Sequence, residues 1–228
     1  MRIDIKGTII SNDDKWIYDW FDMDSTCPRD VQATLDKANG QMVDVYINSG
    51  GGDIFAGSEI YTAINSYKGE VKTHVVGLAA SAASVIAMAG KSDISPTAMI
   101  MVHNVSAYAG GDYRDMDHMS EVLKQANKSI AGAYMTKTGM SEKEALEMTD
   151  KETWLTAQQA VDKKLIDSVM FETTQLVASF NSNMLPRSVI DKVRNTVKKP
   201  LSAEDDGFFD RKVQAEAKMK LLNLGGAI

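Results

Sequence analysis

Cysteine is nearly absent from this chain, with one residue, Cys27, among 228. A lone thiol closes no internal disulfide, so the fold must rest on packing, and the composition suits a reducing compartment. Cys27 has no histidine near it in sequence and reads as an incidental thiol. Long hydrophobic runs are missing as well. No apolar stretch reaches the roughly 18 residues that a bilayer span needs. The N-terminus, MRIDIKGTIISNDDK, carries charges throughout and does not read as a signal peptide. These absences predict a cytoplasmic protein with no membrane partner. Cations are in deficit, 25 Lys and Arg against 31 Asp and Glu, and no basic patch stands out. Nucleic acid is therefore not an expected partner. The three histidines are not paired at ligand spacing, so a metal site has no support. Asp13–Asp14 and Asp22 with Asp24 lack the spacing of a calcium loop. No cofactor is expected.

What is present is an ordinary globular interior, 44% hydrophobic by composition. That suits one domain with an appendage. Residues 1–10 alternate apolar and polar, an opening strand. Val31, Leu35 and Ala38 share one face of a helix over 29–39, with Gly40 as its C-cap. The segment MVDVYI at 42–47 is a strand that runs into Asn48-Ser-Gly-Gly-Gly-Asp53. A helix carrying Ile54, Ile60 and Ile64 follows. Then come a strand at Val71–Gly77, a small-residue helix at Ala79–Gly90 and a strand at Ala98–His103. Strand, helix, strand, helix, strand predicts an α/β fold with a mainly parallel sheet. Ligands of such folds sit at the carboxyl ends of strands. Residues 113–138 predict one long helix. Ser141 with Glu144 forms a capping box, Thr156 caps a helix at Ala157–Lys164, and 165–171 reads as a closing strand. The texture turns polar after Glu172. The expected organisation is a main α/β domain over 1–172 and a helical extension over 173–228, with helices at 186–199 and 208–223.

Four features bear on chemistry. The triple glycine after a strand permits positive φ and inward-pointing amides, which suit an anion or an oxyanion. No Gly-Lys-Ser/Thr follows, so this is not a nucleotide P-loop. Ser81, in Gly77-Leu-Ala-Ala-Ser-Ala-Ala-Ser84, follows a strand and opens a helix of tiny residues. Its neighbour Ala82 offers a free amide at the helix start. Ser84 reads as a packing residue. His103 ends a strand, a place suited to a site residue or to a structural histidine, whereas His74 and His118 read as structural or exposed. Asp150-Lys151-Glu152 supplies carboxylates that can orient an imidazole.

Taken in order, these pieces resemble the proteolytic subunit of Clp protease. YINSGGG at 46–52 is similar to that family's Y-I-N-S-P-G-G, and GLAASAAS at 77–84 to its G-x-A-A-S-M-A/G. MIMVH at 99–103 resembles its M-I-H, and WLTAQQAVDKKLID at 154–167 its closing motif. The resemblance covers residues 40–171. It implies the ClpP/crotonase superfold of repeated ββα units with a protruding handle helix, here 113–138. It implies Ser81 as nucleophile, His103 as general base, and Gly51 and Ala82 as oxyanion-hole amides. Glu152 matches the triad acid, one methylene longer, with Asp150 as the other candidate. It further implies a serine endopeptidase acting on peptides or unfolded protein, assembled as a homo-oligomeric ring. Gly50 in place of proline, the N-terminal region and the tail resemble the phage and prophage ClpP-like proteases of head maturation, whose partners are capsid or scaffold proteins. Two other readings stay open: a crotonase-type acyl-CoA enzyme and a non-catalytic ring or scaffold protein.

Overall fold

The computed structural model describes residues 1–171. The expected extension at 173–228, with its two helices, lies outside the described residues. In chain order the elements are β1 (Arg2–Ile9), α1 (Lys15–Trp20), β2 (Ser25–Thr26), α2 (Pro28–Ala38), β3 (Val43–Gly52), α3 (Ile54–Ser66), β4 (Val71–Ala80) and α4 (Ala82–Ala87). They continue with β5 (Lys91–Ile94), β6 (Met99–Val102), α5 (Tyr113–Thr138), α6 (Glu142–Asp150), β7 (Thr153–Thr156), α7 (Ala157–Asp162) and β8 (Ser168–Val169).

The eight strands form one sheet, and every pairing except β6 with β7 is parallel. The core follows from period-two alternation in the strands. In β3, Val43, Val45, Ile47, Ser49 and Gly51 are buried while their neighbours are not. Val43, Val45 and Ile47 join Ile3 and Ile5 of β1, Val75 of β4, Ile94 of β5 and the apolar stripes of α2, α3 and α4 in one core. Each fully buried isoleucine contributes about 2 kcal/mol in transfer terms.

Local signals explain most boundaries. Pro28 opens α2, and Asn39 at φ 45° closes it, with Gly40 following at φ 84°. The left-handed cap expected at Gly40 thus begins one residue earlier, which an asparagine tolerates. α5 begins with a capping box between Asp112 and Asp115 and ends at left-handed Gly139. Its buried residues, Ile130, Ala131, Ala133 and Tyr134, all lie in its second half. The first half stands clear of the core, as a handle does.

One topological detail positions the site. The first part of β4 pairs with β5 (Lys72 to Val75), and its last part pairs with β6 (Leu78 to Ala80). β6 therefore lies beside the carboxyl end of β4, with Ala80 opposite Met101. β7 returns antiparallel along β6, with Val102 opposite Thr153. The residue after β6 and the residue before β7, His103 and Glu152, become neighbours in backbone register.

Candidate active site

Ser81 sits between the end of β4 and the start of α4 with φ 55° and ψ −125°. A non-glycine residue there carries strain of order 1–3 kcal/mol and persists only where the surroundings over-determine it. They do so from both sides. The Ser81 amide donates to the Met101 carbonyl of β6 at 3.0 Å. Its carbonyl accepts from the Ser84 amide at 2.9 Å and from the Ser84 hydroxyl at 2.6 Å. The expected helix at Ala79–Gly90 is accordingly cut back to Ala82–Ala87. The sharp turn at Ser81 ends the strand, and the helix cannot start before it.

His103 follows β6 directly, and its Nε2 lies 2.8 Å from Ser81 Oγ. The two residues are 22 apart in sequence. The β4–β6 register brings them together. This is hydrogen-bond distance between a hydroxyl and an imidazole nitrogen. Two tethers hold the His103 segment. The Val105 amide donates to Asn127 Oδ1 on α5 at 2.7 Å, and Asn104 Nδ2 donates to Asp150 Oδ1 at 2.8 Å.

The candidate acid is not brought to the imidazole. Glu152 stands in the left-handed region at φ 47°, and its Oε1 accepts from the indole Nε1–H of Trp154 at 3.2 Å. Asp150 is occupied by Asn104. Among the described residues, no carboxylate is hydrogen-bonded to His103.

The glycine turn approaches Ser81 closely. A Cβ on Gly51 would lie 2.7 Å from both the Ala80 carbonyl and Ser81 Cβ, and 3.0 Å from the Ala82 nitrogen, and Gly51 has φ 95°. Only glycine fits there. The Gly51 amide itself donates to Ser49 Oγ at 3.1 Å, and the residue is buried. Gly52 is exposed and lines the groove that contains Ser81. Ala82, as the first residue of α4, has no intrahelical acceptor for its amide.

That groove has a volume of about 420 Å³. Ile54, Phe55, Met119, Val122, Leu123 and Ile130 from α3 and α5 give it an apolar wall beside Ser81 and His103. No group of three His, Cys, Asp or Glu side chains able to hold a metal occurs among the described residues. Nor, among them, is any helix long and apolar enough to cross a membrane.

The family model for Clp protease matches residues 30–173. The chain belongs to the Clp protease family. It is 34% identical over 143 residues to the ATP-dependent Clp protease proteolytic subunit 1 of Chlamydia abortus, covering 60% of this chain and 74% of that protein. It is 36% identical to the proteolytic subunit of Ligilactobacillus salivarius, covering 55% of this chain and 66% of that protein. The figure for subunit 1 of Streptomyces avermitilis is 34%, covering 56% of this chain and 60% of the relative. The chain thus spans less than two thirds of each of these last two relatives. Among solved structures, a ClpP1 point mutant from Listeria monocytogenes superposes with a TM-score of 0.62 at 21% identity, over 74% of this chain and 90% of that one. The α/β fold with a mainly parallel sheet is that of ClpP.

The surroundings of two buried hydroxyls near Ser81 escaped the sequence. Ser84 reads there as packing and is fully buried; its hydroxyl also sits on the Ser81 carbonyl and 2.8 Å from the Tyr134 hydroxyl. Tyr134 reads as a helix-face residue, and burial pushes its phenol up to about 12. The one available signal was the rule that a buried hydroxyl must find a partner.

Proposed function

We propose that this Clp-family enzyme is a serine endopeptidase in which Ser81 attacks a peptide carbonyl and His103 removes its proton. The 2.8 Å contact between Ser81 Oγ and His103 Nε2 carries this reading. Attack forms a bond from Oγ to the carbonyl carbon and places negative charge on the carbonyl oxygen. The Ala82 amide and an amide of the Gly51–Gly52 turn receive that charge. His103 then gives its proton to the departing amine, leaving an acyl ester on Ser81 that water hydrolyses. One such amide donor is typically worth about 3 kcal/mol in the transition state. Glu152, adjacent to His103 in backbone register, turns from Trp154 to hold the imidazole when substrate is bound. The apolar groove between α3 and α5 takes a hydrophobic side chain next to the scissile bond.

The natural form is a homo-oligomeric ring. The half-clear α5 and the exposed aromatics Trp16, Trp20 and Phe21 support this, since apolar surface of that kind marks contact sites. Substrates are peptides or unfolded segments in the cytoplasm. The substitution of Gly50 for proline and the divergent N-terminal region support a role among phage or prophage proteases of head maturation, with capsid or scaffold proteins as partners. A crotonase-type acyl-CoA enzyme has no use for a serine hydrogen-bonded to a histidine.

The test is turnover of a fluorogenic peptide together with fluorophosphonate labelling. Wild type is expected to label at Ser81 and to cleave. Ser81→Ala is expected to lose both, by at least a thousandfold in kcat, while native mass measurement shows the same ring. Undiminished cleavage by Ser81→Ala would end the reading. A ring that never labels or cleaves would favour the scaffold alternative.

A further inference from the structure

A trans peptide group is planar, and its C=O and N–H point in opposite directions. Whatever fixes the Ser81 carbonyl therefore fixes the Ala82 N–H. That carbonyl takes an ordinary helix-start bond from the Ser84 amide at 2.9 Å and a longer one from the Val85 amide at 3.4 Å. It also takes a bond that no helix requires, from Ser84 Oγ at 2.6 Å. A carbonyl cannot donate, so the single hydroxyl proton of Ser84 is committed to it. The contact of 2.8 Å between Ser84 Oγ and Tyr134 Oη must then be donated by the tyrosine. The chain of donors runs from Tyr134 on α5, through Ser84 on α4, to the peptide that joins Ser81 to Ala82. Ser84 is 0% and Tyr134 1% exposed, so water does not compete for either bond. Successive hydrogen bonds polarise one another, and a peptide bonded at its oxygen donates more strongly from its nitrogen.

We propose that Ser84 and Tyr134 are positioning residues of the oxyanion hole: together they aim and polarise the Ala82 amide and hold Ser81 in its strained turn. This rests on the peptidase reading and adds two residues to it. Neither side chain touches substrate. Burial keeps the Tyr134 phenol protonated until the pH nears about 12, so the relay stays intact over the working range.

Three variants separate positioning from plain structure. Ser84→Ala removes the bond to the carbonyl and strands the buried Tyr134 hydroxyl. It is expected to lower kcat about tenfold with KM unchanged, and to lower the thermal midpoint as well. Tyr134→Phe keeps the volume and the Ser84 bond, and a few-fold loss in kcat is expected. The double variant Ser84→Ala/Tyr134→Phe leaves no stranded hydroxyl. It should regain thermal stability while kcat stays as low as in Ser84→Ala. Recovery of kcat together with the thermal midpoint in the double variant would show a merely structural role and overturn the inference. So would an unchanged kcat in Ser84→Ala beside an active wild type, and the peptidase reading would survive that result. A wild type that neither labels with fluorophosphonate nor turns over peptide overturns both.

Discussion

Ser81 meets two constraints at once: its hydroxyl is aimed at an imidazole, and its backbone is held at a positive φ that serine rarely adopts. Sequence shows the need for the first but not the second. A serine amid alanines looks the same whether it packs or reacts, and what separates Ser81 from Ser84 is a turn that exists only once β6 has paired with β4. The acid is harder still. Glu152 is next to His103 in register, yet its carboxylate accepts from Trp154. Asp150 reaches the histidine segment only through the side chain of Asn104. If Glu152 turns to the imidazole in the substrate complex, Glu152→Gln should lower kcat by roughly 10²-fold or more, because an amide cannot stabilise the imidazolium. Asp150→Asn keeps a carbonyl oxygen for Asn104 Nδ2 and should change kcat by no more than a few fold. Peptide turnover under saturating substrate decides between them, and a larger loss in Asp150→Asn would reassign the acid.

Among elements, α3 ties the glycine turn to the body of the fold. Its N-cap is Asp53, directly after Gly52, and one carboxylate oxygen accepts from the amides of Phe55 at 2.7 Å and Ala56 at 3.1 Å. Asp53→Ala leaves those amides without that acceptor and should cost about 1 kcal/mol, read as a lower denaturant midpoint at unchanged slope. Asp53→Asn retains an accepting oxygen and should recover most of the loss. Equal midpoints for wild type and Asp53→Ala would refute the cap's contribution. The elements that sequence displayed well are those with a long apolar period or a capping pair: β3, α2, α5 and α6. Those it hid are short or lack an inward face. α1 has no buried residue, and β5 is four residues, Lys91–Ile94. β7, Thr153–Thr156, ends on the cap of α7, and only its pairing with β6 makes it a strand. The closing strand expected over 165–171 is reduced to Ser168–Val169, the residues in ladder register with Asp93 and Ile94 of β5.

For the molecule as a whole, the buried Tyr134 phenol links stability to pH. Its value rises from the ordinary 10 to about 12, with desolvation as the largest cause. The folded chain therefore holds this proton more tightly than the unfolded chain does. The stabilisation is complete below about pH 10, where the phenol is protonated in both states. It is lost progressively as the pH rises toward about 12, because unfolding then releases a proton. One unit above the unfolded value, at pH 11, the loss is on the order of 1 kcal/mol. Tyr134→Phe has no proton to release at this site, and the other tyrosines are common to both proteins. Urea midpoints at pH 8.5 and pH 11, at fixed protomer concentration, should fall further for wild type than for Tyr134→Phe by that amount. Parallel declines would mean that Tyr134 titrates as a solvent-exposed phenol, and the sealed contact between α5 and α4 beside Ser81 would have to be abandoned.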